Sequence, residues 1–311
     1  MIIRVAMADE DEEILHYLVI PDRTQMEEHT IATVGDAVIG NRVSIGYGIT
    51  ADSITIGEHS SIEGNIIARS DLRVDLWTKI NGSVQTDADA YFGEFVNVNG
   101  KLTVDGSLDV GNNVQIKEGY TAKGWIIVRN PLPILTYIFL YLITLFQIDR
   151  GGEEIEKALN HLFSEEEQLL SMNMLTIPDH AIISLTDIIV QEAAIICSDC
   201  RLFGNIKARS LYMGDRNNLF GSIRTDQDIY VGTGCVIHGA LESKTEINIL
   251  RGTRVMGDVN ANKVIFHETA CIDGAIHAPG GVIKIKDDVD GLANDMLNTY
   301  YCFSLLFPNS I

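Results

Sequence analysis

Glycine spacing constrains this chain more than any other feature. Glycines stand at Gly46, Gly64, Gly82 and Gly100, each step being 18 residues. They return at Gly204, Gly221, Gly239, Gly257 and Gly274, with steps of 17, 18, 18 and 17. A fixed period marks a repeat architecture and decides the fold class before any local assignment. Two residues before the glycine stand Ile62, Ile80, Val98, Leu202, Leu219, Ile237, Val255 and Ile272. Two residues after it stand Ile66, Val84, Leu102, Ile206, Ile223, Leu241, Val259 and Ile276. Four after it come small or modest residues, among them Ala68, Thr86, Ala208, Thr225, Ser243 and Ala278, and the positions between are mostly polar.

Alternation of this kind sends successive side chains to opposite faces of a strand. Helical periodicity would not keep positions two apart aliphatic, so an α-solenoid is excluded. One such strand cannot bury its inner face alone. Coils stacked about 4.8 Å apart pair their backbones and pile the aliphatic columns into one core. The expected fold is therefore all-β: a parallel β-helix of roughly 18-residue coils. Ile66, Val84, Leu102, Ile206, Ile223, Leu241, Val259 and Ile276 should point inward. Gly64, Gly82, Gly100, Gly204, Gly221, Gly239, Gly257 and Gly274 should permit the bend between sides of a coil.

The two halves repeat each other. Residues 64–70 match residues 204–210 at six of seven positions. The entries Leu18-Val19-Ile20-Pro21-Asp22 and Leu175-Thr176-Ile177-Pro178-Asp179 rhyme as well. This divides the chain into a lead-in (1–30), a first array (31–128), an intervening segment (129–175), a second array (176–286) and a cap or tail (287–311). The columns blur after Gly106.

The segment from Pro131 to Ile148 is strongly apolar and opens with Pro131 and Pro133, which suit the first turn of a helix. Its span of about 18 residues lies at the lower edge for a membrane crossing. A single crossing would put two like arrays on opposite sides of a membrane. The alternatives are packing on the β-helix flank, a subunit contact or an interfacial anchor. Ile134, Leu135, Ile138, Phe139, Leu142 and Phe146 would form the membrane or subunit contact. Residues 153–170 form an acidic amphipathic stretch that would return the chain to the second array. The tail holds Tyr300-Tyr301-Cys302-Phe303-Ser304-Leu305-Leu306-Phe307, which would either cap the last coil or make a polymer contact.

A formal net charge of −20 repels phosphate backbones, so nucleic acid is not an expected partner. The acidic centre of the first twenty residues does not fit a secretory leader, and the odd set of five cysteines fits a reduced cytoplasm. Cys197-x-x-Cys200 lacks a second pair at zinc spacing. Cys200 and Cys235 fall four before a repeat glycine and read as small fillers of one core column. His59, His238, His267 and His277 form no constellation, and no nucleophile elbow or phosphate loop is present. No catalytic, metal or cofactor site is expected.

Repeats of the form Gly-[Asn/Ser/Asp]-[Ile/Val]-x-[Ala/Thr], as at Gly64, Gly82, Gly204, Gly221 and Gly257, resemble those of bactofilins over both arrays. These are polymer-forming cytoskeletal proteins with a compact right-handed β-helix. The resemblance implies nucleotide-free assembly of the chain with itself, end to end, and frequent membrane association, here at the inner face through residues 131–148. Two arrays and a long apolar insert depart from that pattern. An end contact around Gly257–Ala278 would be blocked by Lys at Val282 or Ile285. A second resemblance is to hexapeptide-repeat acyltransferases. Ile39-Gly40-Asn41-Arg42-Val43-Ser44 and Ile45-Gly46 resemble two of their hexads, but the register is then lost.

Overall fold

The computed structural model describes residues 17–129 and 174–286. They form an all-β parallel β-solenoid of about 12 turns with about 18 residues per turn, and no helix occurs among them. The strands are two to five residues long and line three faces. A broad face has 14 strands, and two narrower faces have 12 each. Short strands suit the sequence. Each aliphatic-x-small triplet supplies two inward side chains, and a corner residue then turns the chain.

The order of strands on the broad face is not the order of the chain. From one end it runs Ile126–Val128, Leu108–Val110, Ala90–Phe92, Leu72–Val74, Ile54–Ile56 and Ala37–Ile39, then Leu175–Ile177 and Leu18–Ile20. It continues through Ala194–Ile196 to Val282–Ile285 at the other end. The chain therefore starts twice near the middle and runs outward twice. At the centre Val19 pairs with Thr176 in antiparallel sense.

The two lead-ins are exchanged. Leu18–Ile20 stacks in parallel on Ala194–Ile196 of the second run, and Leu175–Ile177 stacks in parallel on Ala37–Ile39 of the first. Each lead-in then reverses into its own run through a hairpin. Met26 faces Ile31 in one hairpin, and Ile183 faces Ile188 in the other. Each lead-in thus completes the stack of the other run.

An approximate twofold through Val19 and Thr176 relates the runs, and it swaps the two narrow faces. Ile62, Ile80 and Val98 lie on one narrow face, whereas Leu202, Leu219 and Ile237 lie on the other. One continuous core fills the interior from Leu18 to Val264. The eight repeat glycines stand at bends between strands, and crowding adds a reason for them. A Cβ at Gly64, Gly82, Gly100, Gly221, Gly239, Gly257 or Gly274 would come within 3.0 Å of the adjoining coil's backbone. Only Gly204 among the eight has a left-handed φ, +105°. Close stacking of coil corners, rather than backbone freedom, is what requires glycine there.

Candidate functional site

Seven of the predicted inward residues, Ile66, Val84, Leu102, Ile206, Ile223, Leu241 and Val259, are at most 1% exposed. Ile276 is 36% exposed. Its strand, Ile276–His277, is the last on its face among the described residues, and none of their coils covers it. The expected contact residues Ile134, Leu135, Ile138, Phe139, Leu142 and Phe146, and the tail aromatics, lie outside the described residues.

Both ends of the solenoid present unpaired strands on all three faces of the described structure. At the first end Ile126 and Val128 continue the inward columns of Leu108 and Val110, yet they are 47% and 72% exposed. Trp125 beside them is 83% exposed. At the second end Val282 stacks below Val264 and is 49% exposed. The next inward column there ends on Lys284, stacked on Phe266. A charge in a core column blunts an edge against further pairing. The two ends are therefore chemically different.

At the central junction the strands are paired on both sides instead. The Ser198 N–H donates to Asp22 Oδ1 at 2.6 Å, and the Asn41 N–H donates to Asp179 Oδ1 at 2.6 Å. The step from 22 to 179 equals that from 41 to 198, one offset of 157 residues. The sequence match of 64–70 with 204–210 is thus one coil out of step with the spatial equivalence. Cys200 is buried beside the exchanged lead-in, its Sγ 3.1 Å from the Pro21 carbonyl. Cys235 sits likewise 3.1 Å from the Gly214 carbonyl. These thiols occupy the coil position held elsewhere by Ser60 and Thr78, whose hydroxyls donate to Gly40 and Gly57 carbonyls. Burial pushes the Cys200 thiol up to about 12 and the Cys235 thiol to about 11. Cys271, in the last coil, is exposed, and its hydrogen bond to Asp273 raises its pKa.

The four histidines are not brought together. His59 stacks on Trp77 and His238 on Phe220; His267 is buried beside Thr269, and His277 is exposed in the last coil. Among the described residues no group of three His, Cys, Asp or Glu is placed to hold a metal ion. No helix among them is long and apolar enough to cross a membrane.

Two aromatic ladders escaped the sequence reading. His59, Trp77 and Phe95 stack at 4.9 and 5.5 Å in the first run. Phe203, Phe220 and His238 stack at 4.8 and 4.2 Å in the second. Rings spaced 17 or 18 residues apart were the available signal. Trp77 and Phe95 have φ of 54° and 62°, a conformation bulky residues rarely adopt, and their twofold equivalents are Gly234 and Gly252. No protein-family model, curated protein or solved structure matches the chain.

Proposed function

We propose that this protein is a non-enzymatic scaffold that associates with copies of itself through the open ends of its solenoid, in the manner of the bactofilins its repeats resemble. One observation carries the reading: inward-register aliphatic residues stand exposed in the terminal coils, above all Ile126 and Val128. Among the described residues no further coil stacks on them, and another solenoid end offers one. The two runs are tandem copies under this reading, fused start to start, so that the pairing of like ends that a dimer of single arrays would need is built into one chain. Assembly then proceeds at the outer ends. The first end is favoured because Val128 stands where the second end carries Lys284. The working compartment is the cytoplasm, with residues 131–148 providing a contact to the membrane's inner face.

Sedimentation velocity and negative-stain microscopy of the full chain, without added nucleotide, test the proposal. Concentration-dependent oligomers or filaments are the expected outcome. A protein that stays monomeric at high concentration, with and without lipid vesicles, defeats it.

A further inference from the structure

Beside the central junction lies an open cleft of about 730 Å³, lined among others by Gln25, Met26, Tyr47, Leu185, Arg201 and Phe203. Its position follows from the aromatic ladder of the second run. One side of the Phe203 ring stacks on Phe220 at 4.8 Å, and Phe220 stacks in turn on His238. Toward the junction the next strand is Gln25–Met26, with Gln25 beside Arg201. The residue that follows it, Glu27, brings no ring to the ladder and lines the cleft instead. The ladder of rings therefore stops at Phe203, which lines the cleft.

The polar groups around that space are free to act. The Arg201 guanidinium lies 5.2 Å from the Phe203 centroid and 5.4 Å from that of Phe220, so it flanks both rings. Among the described residues it has no carboxylate partner within ion-pair distance, unlike Arg216 with Asp199 or Arg224 with Glu242. Tyr47 is only 2% exposed, yet its hydroxyl has no hydrogen-bond partner among the described residues. Burial raises the pKa of this phenol, so it keeps its proton and can donate. Glu27 and Glu28 are exposed on the rim.

The fold does not require these side chains. Across the twofold, the positions of Tyr47, Arg201 and Phe203 are held by Gly204, Ser44 and Gly46. Small residues hold those positions, whereas this side carries a phenol, a guanidinium and a ring.

We propose that the cleft binds an aromatic α-amino acid. Its ring stacks on the free side of Phe203 as the next rung, its carboxylate meets Arg201, and its ammonium group faces Glu27 and Glu28. Tyr47 donates a hydrogen bond from the floor. Offset stacking and a guanidinium–carboxylate pair supply both specificity and affinity. A simple aromatic anion would leave the rim carboxylates repelling it, and a simple amine would leave Arg201 unused. The zwitterion satisfies both signs. This binding does not depend on self-association and can be measured apart from it.

Isothermal titration calorimetry of the full chain with L-tryptophan provides the test, with tryptamine and 3-indolepropionate as probes lacking the carboxylate or the ammonium. Saturable binding of tryptophan is expected, with each truncated probe weaker by roughly tenfold, the usual scale for losing a hydrogen bond to a charged group. R201Q should weaken tryptophan by a similar factor and abolish its advantage over tryptamine. Y47F should weaken it several-fold. Circular dichroism and an unchanged unfolding midpoint establish that both variants are folded; R201Q alters an exposed side chain, and Y47F removes one oxygen. The proposal is overturned if tryptophan gives no saturable heat at its solubility limit. Equal affinity for all three probes overturns it too, as does binding unaffected by both substitutions.

Discussion

The centre and the ends of the solenoid are built from the same triplets, yet they meet opposite fates. At the centre Ile177 and Leu18 belong to the first strands of their segments, and both are fully buried, because each lead-in is laid on the other run. At the ends Val128 and Val282 occupy the same kind of column and stand half-exposed or more. A coil is apolar by design on its inner side, so the environment of a column residue depends on whether another coil follows. The chain solves this at its start by exchanging nine or so residues between halves, as a swapped dimer would, and leaves it unsolved among the described residues at its finish.

The largest contrast should come from one substitution made in both places. Ile177→Asp buries an unpaired carboxylate between two runs and should cost about 3–5 kcal/mol. Val128→Asp, at an exposed terminal strand, should cost within about 0.5 kcal/mol. Urea unfolding measures both, and equal losses would erase the distinction between centre and end. The junction latches come next. Asp22→Asn and Asp179→Asn each weaken a charge-assisted bond across the exchange and should cost about 1 kcal/mol apiece. The matching contact near the second end, from the Ala275 N–H to Asp258 Oδ1 at 2.8 Å, serves as control. Asp258→Asn should cost less, because terminal coils already open locally.

Much of this was legible in the glycine period. Stacked coils and the buried columns from Ile66 to Val259 follow from alternation alone, since any other register would put aliphatic side chains in water. The exchange was not legible, although its marks were present in the rhyming Leu18–Asp22 and Leu175–Asp179. Pairing of strands far apart in sequence leaves no local pattern, and both runs carry the same repeat, so parallel continuation and start-to-start joining look identical. The same degeneracy hid the face swap, which put Leu202 and Ile62 on different sheets. Glycine was recognised for its flexibility, when the crowding of Gly82 against Gly64 is what demands it. The cleft was missed because Tyr47, Arg201 and Phe203 come from both halves and converge only once the junction forms.

The two ends can be separated by their effect on assembly with little change in stability. Val128→Lys gives the first end the charge that the second already holds in Lys284, and it should abolish association seen by sedimentation velocity. Val282→Lys adds a second charge to a blunted end and should reduce association less. The reverse ranking would assign assembly to the second end.

The smallest effect, and the finest probe of centre against end, lies in the cysteines. Alkylation needs a thiolate and access. Cys271 in the last coil is exposed, whereas Cys200 and Cys235 are buried with thiols raised to about 12 and about 11. With Cys302 replaced by serine to isolate the described thiols, iodoacetamide at pH 8 should modify Cys271 first, leaving Cys200 and Cys235 until the coils open. Those two report different openings. Cys200 is covered by the lead-in through Pro21, and Cys235 by its own run through Gly214. If the exchanged lead-in is as firmly held as a coil within the run, both react at one slow rate that follows global unfolding in urea. Should Cys200 react well ahead of Cys235 under native conditions, the lead-in detaches by itself, and the centre is a latch that opens rather than the fixed core of the molecule.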